Sequence, residues 1–63
     1  MTSAQEVRDA IMRAAADIRN NAEYWDIKSK ETTNTIERWS RYGRALAHFM
    51  DADRLERLAD GVQ

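Results

Sequence analysis

The sequence predicts an all-α protein, and three observations lead to that prediction. Apolar residues recur at spacings of three and four along two segments, as they do on one face of an α-helix. The chain contains no proline, and the stretch between the two segments is rich in Ser, Thr and Asn. We therefore expect an antiparallel helical hairpin with a short C-terminal helical segment, associating as a homodimeric four-helix bundle. A compact three-helix monomer is the second architecture.

The first helix is predicted over residues 4–28. Ser3 followed by Glu6 is a capping-box signal at its N-terminus, and neither Gly nor Pro interrupts the segment. The alanine run 14–16 makes its apolar stripe shallow at the middle, so that another helix can approach closely. The stripe consists of Val7, Ile11, Ala14, Ile18, Ala22 and Trp25.

A second helix is predicted over residues 35–50. Residues 29–34 form the break, because Ser, Thr and Asn side chains compete for backbone hydrogen bonds and favour caps over helix interiors. Asn34 with Glu37 is a second capping signal. Gly43 lies inside the apolar stripe, where we expect a facing helix to approach closely. That stripe consists of Ile36, Trp39, Gly43, Leu46 and Met50.

A short third helix is predicted over residues 52–60. Leu55 and Leu58 point about 100–130° away from the stripe of the second helix, at 3.6 residues per turn. Asp53 with Glu56 provides a capping signal for a new helix. A continuous second helix that wraps its apolar face is the alternative. All three segments belong to one domain, residues 1–63.

Composition limits the classes of function. Ten Lys and Arg against eleven Asp and Glu give a net charge of -1, so no overall field attracts nucleic acid or a membrane surface. A hydrophobic fraction of 43% is too high for a disordered chain. The sequence shows neither a secretory apolar region nor a membrane-spanning run, and we expect a cytoplasmic protein without a membrane role. A chain of 63 residues forms a marginal core alone, which favours a homo-oligomer.

The sequence predicts a protein that is not an enzyme. Without cysteine, and with one histidine beside Asp51 and Asp53, it offers too few ligands for a transition-metal site. It contains no pairing of a nucleophile with a base and no Gly-rich phosphate loop. We therefore predict no cofactor and no metal. The expected function is that of a small regulatory or inhibitory protein acting through protein–protein contacts.

Two sets of candidate functional residues follow. The first is the basic face of the second helix with a neighbouring tyrosine, predicted to bind a protein partner: Arg38, Arg41, Arg44, His48 and Tyr42. Arginines at this spacing pair with carboxylates or contact phosphates, so a nucleic-acid-binding dimer is an alternative function. A face that is only solvated is the third interpretation.

The second set is apolar and is predicted for self-association or for the core. A hairpin has one inner seam and cannot bury every aromatic ring, so some rings meet a third helix or a second chain. Tryptophan and tyrosine are typical anchors of protein interfaces. A structural subunit of a larger helical assembly is a further alternative. The set consists of Val7, Ile11, Ile18, Trp25, Ile36, Trp39, Leu46, Phe49 and Met50.

Overall fold

The chain forms two antiparallel helices in a computed structural model that describes residues 3–62. Helix α1 spans Ala4–Glu31 and helix α2 spans Thr35–Asp60, with residues 32–34 between them. At one end of the hairpin Arg8 donates a hydrogen bond to the carbonyl of Val62, and at the other Arg41 donates to the carbonyl of Lys28. The hairpin measures 50 × 14 × 12 Å. Its radius of gyration is 14.7 Å, against about 11 Å for a compact domain of this length.

The N-terminal caps predicted for both helices are confirmed. The side chain of Ser3 accepts a hydrogen bond from the Glu6 amide at 3.1 Å, and that of Asn34 accepts one from the Glu37 amide at 3.0 Å. Each cap satisfies an amide that has no partner within its helix. The hydroxyl of Thr32 closes the turn, because it accepts from the Asn34 amide and donates to the Glu37 carboxylate.

Helix α1 continues past its predicted end at residue 28. Ser29 is buried, and its hydroxyl donates to the Asp26 carbonyl at 2.6 Å. A serine inside a helix is tolerated when its hydroxyl bonds back to the preceding turn in this way. The connection is therefore shorter than the predicted break over residues 29–34.

The separate third helix predicted over residues 52–60 is wrong, because α2 runs without interruption to Asp60. The side chains expected to form a new cap make other contacts: Asp53 pairs with Arg57 at 2.9 Å, and Glu56 pairs with Arg19 of α1 at 2.7 Å. The apolar residues change direction after Met50 because the side of α2 that packs on α1 carries alanines from Ala45 to Ala59, which the stripe of large residues leaves out.

The seam between the helices is built from small residues at every seventh position. Such a period keeps side chains facing the partner helix in an antiparallel coiled coil. Their exposed fractions run from 0% to 3%, and no large side chain in the described part of the chain is fully buried. Small residues let the two backbones come close but bury little apolar area. The seam consists of Ala15, Ala22 and Ser29 on α1 and Ala45, Ala52 and Ala59 on α2.

We expect Ser29→Ala to change the free energy of unfolding by less than about 0.5 kcal/mol. The hydroxyl bonds only to its own helix, and alanine fills the equivalent positions 15 and 22. Thermal denaturation followed by circular dichroism measures the change. A loss above about 2 kcal/mol, the size of a buried polar group left unpaired, would show that the hydroxyl has a second partner.

Neither helix, over residues 3–62, has the uncharged apolar length that a bilayer-spanning segment needs.

Candidate protein-interaction surface

The apolar stripe of α2 faces solvent instead of α1. Ile36 is 82% exposed and Trp39 is 67% exposed. Since the buried side of α2 is its alanine line, the stripe lies about 150° around the helix from the seam, at 3.6 residues per turn. We call this surface the α2 apolar face. Its members are Ile36, Trp39, Tyr42, Gly43, Leu46 and Met50, all of them exposed.

The expectation that a facing helix approaches Gly43 within the hairpin is wrong. Gly43 is exposed, and a methyl group added at its Cα would meet nothing within 4 Å. Glycine in a helix interior costs roughly 1 kcal/mol relative to alanine. The contacts of the hairpin do not account for that cost, because α1 packs on the alanine side of α2.

Aromatic rings and a shallow pocket lie at one end of the α2 apolar face. The rings of Trp39 and Tyr42 are 6.0 Å apart and perpendicular. Beside them is an open pocket of about 430 Å³. An ion pair between Lys30 and Asp26, 3.3 Å long, stands at its rim. An apolar floor with a polar rim is typical of protein–protein interfaces. The pocket is lined by Asp26, Ser29, Lys30, Arg38, Trp39 and Tyr42.

The structure divides the apolar residues that were predicted for the core or for self-association. On α1, Ile11, Ile18 and Trp25 are half-buried beside the seam, whereas Val7 is more exposed. On α2, Phe49 is half-buried and lies 5.9 Å from the guanidinium of Arg19. The remaining members, Ile36, Trp39, Leu46 and Met50, belong to the α2 apolar face.

The arginines of the predicted basic face contact α1 and the turn. Arg41 donates to the Lys28 carbonyl at 2.9 Å, and Arg38 donates to the Thr32 carbonyl at 3.1 Å. Carbonyls at the end of a helix lack partners within it, and a cation there also offsets the helix dipole. These two arginines therefore cap the C-terminal end of α1.

The other members of the basic face are also placed beside α1. The guanidinium of Arg44 lies 4.8 Å from the ring of Trp25, and His48 is half-buried. Tyr42, grouped with the basic residues in the sequence, belongs with Trp39 instead. Binding of phosphates or acidic partners by this face would require guanidinium groups that are free. Most of them are instead engaged in contacts within the hairpin.

Sequence reasoning missed the arginine caps and the alanine seam for different reasons. The caps depend on the register between two helices, and no local pattern signals them. The seam was readable, because alanines recur at positions 15 and 22 and again at 45, 52 and 59.

No protein-family model, curated protein or solved structure matches this chain.

Proposed function

We propose that this protein is a small non-enzymatic regulatory protein that acts through protein–protein contacts, with the α2 apolar face as its contact surface. The exposure of Trp39 and Ile36 on one uncharged face is the observation that supports it. Single exposed apolar residues are common on protein surfaces, but a contiguous patch marks an interaction site. Tryptophan and tyrosine at its centre are the residue types that most often carry binding energy.

The chemistry of the face favours a protein over other ligands. Its stripe positions 36, 39, 43, 46 and 50 carry no charge, which offers nothing to a phosphate backbone. Arg38, the cation that lines the pocket at one end of the face, already donates to a backbone carbonyl. The face extends about 21 Å along the helix, at 1.5 Å per residue, which suits the side of another helix.

A photo-crosslinking experiment tests this proposal. Tyr42 is replaced by benzoylphenylalanine in the full chain, expressed in cells of its native host, and irradiated. Tyr24 is a matched control: it is 51% exposed against 45% for Tyr42, it also packs edge-on against a tryptophan, and it lies on the outer side of α1. We expect protein adducts at position 42 and few at position 24. Absence of adducts at position 42, or equal yields at both, would contradict the proposal.

A further inference from the structure

We infer that the α2 apolar face binds a second copy of this chain, with the two α2 helices antiparallel about a two-fold axis at Gly43. The inference rests on the proposed function and names the partner of that surface. It depends on the arrangement of residues around Gly43, on the exposed area of the hairpin and on the charges that border the face.

The α2 apolar face is symmetric about Gly43. Ile36 and Met50 lie seven residues before and after it, and Trp39 and Leu46 lie four before and three after. In an antiparallel pair centred on this residue, Ile36 faces Met50 of the second copy and Trp39 faces Leu46. A two-fold interface requires such self-complementarity, since the same patch serves on both subunits. Every large side chain of the stripe then has an apolar partner.

Glycine suits the position on the axis. The added-methyl position at Gly43 has no neighbour within 4 Å, and its backbone is ordinary helix with no positive φ among the described glycines. Neither turn geometry nor packing on α1 therefore requires it. A missing side chain is useful where two backbones approach closely, and on the axis each glycine meets the glycine of the other copy.

The exposed area of the hairpin matches what a dimer needs. The hairpin exposes 4874 Å², whereas a compact protein of 7.3 kDa exposes about 4200 Å². The excess of about 700 Å² is close to the roughly 800 Å² that each partner buries in a standard interface. The excess exposed area of one copy is thus about the area that one subunit buries in a dimer interface.

An ion pair stands near each end of the face. Lys30 pairs with Asp26 at 3.3 Å, and Asp53 pairs with Arg57 at 2.9 Å beyond the C-terminal end of the stripe. These two pairs therefore place no net charge at the ends of the stripe when two copies come together. The ends of the face thus offer no net charge to a strongly charged partner.

Disulfide trapping tests the inference, because the chain has no cysteine of its own. In the two-fold pair only the residue on the axis meets its own copy. We expect Gly43→Cys to form a disulfide-linked dimer under mild oxidation. Ala47→Cys is the control: its two copies are separated by about 12 Å along the helix axis, beyond the roughly 7 Å between Cα atoms that a disulfide allows.

A second pair of variants keeps Gly43 in place. Mixed Ile36→Cys and Met50→Cys chains are expected to form the mixed disulfide, while each variant alone stays largely unlinked. Links between identical positions instead would indicate parallel helices and would overturn the inference. Gly43→Ala should also weaken dimerisation about tenfold or more, measured by sedimentation, because two methyl groups meet on the axis.

The inference and the proposed function can fail separately. A wild-type chain that stays monomeric at high concentration, with no trapped dimer, overturns the inference. If Tyr42 adducts then contain a different protein, the proposed function stands with another partner. If position 42 forms no adduct at all, both are wrong.

Discussion

Replacing Ala52 with leucine is expected to remove much of the stability of the hairpin. Ala52 is 0% exposed and lies in the alanine seam, as does Ala22 of α1, also 0% exposed. Overpacking a filled core costs about 1–3 kcal/mol, and here the added carbons meet a helix whose close approach depends on alanine. A domain of this size is stabilised by only about 3–5 kcal/mol. Far-UV circular dichroism and urea denaturation measure the loss.

The control for this substitution is Ala47→Leu, which adds the same side chain to an exposed position of α2. We expect that variant to change the free energy of unfolding by less than about 0.5 kcal/mol. If Ala52→Leu keeps the helicity and midpoint of the wild type, the helices are not closely packed at this layer, and the alanine seam does not define the fold.

Substitution by alanine is expected to affect folding stability at one tryptophan and association at the other. The sequence predicts losses of about 3–5 kcal/mol for either ring if it is fully buried. Neither ring is: Trp25 is half-buried beneath Arg44, and Trp39 is 67% exposed. We expect Trp25→Ala to lower the stability of the hairpin by about 2 kcal/mol, which is less than for a fully buried ring because part of this ring is already exposed. We expect Trp39→Ala to leave the hairpin folded and to weaken association about 30-fold or more.

The concentration dependence of the melting temperature separates these effects. Association with a second copy stabilises the folded state by mass action, so the midpoint of the wild type should rise with protein concentration. Trp39→Ala should remove that dependence, and Trp25→Ala should lower the midpoint at every concentration. A Trp39→Ala protein that is unfolded at all concentrations would instead place this ring in the core.

The alanine seam and the α2 apolar face together explain the shape of the molecule. A seam of small residues brings α1 and α2 close together along an extended rod but buries few large side chains. The remaining large apolar residues of α2 lie on its other side. We propose that this second face is the functional one, because the hairpin itself leaves it uncovered.

By itself the sequence determined the helical class, the N-terminal caps at Ser3 and Asn34, and the start of α2 at Thr35. These features depend on contacts within a few residues, and such contacts can be read from local patterns. It also selected Ile36, Trp39, Leu46 and Met50 as residues for the core or for association, although it could not choose between the two.

Only the tertiary structure decided which side of α2 packs on α1. Large apolar residues and alanines occupy different sides of this helix. A ranking of residues by hydrophobic size predicts that the side with the large residues packs on α1. In the structure the alanine side does, because alanine lets two helices approach more closely than larger side chains do. The same register brings Arg38 and Arg41 to the end of α1 and carries α2 unbroken through Asp53 to Asp60. These outcomes depend on the distance between two helices, which no local pattern in one of them specifies.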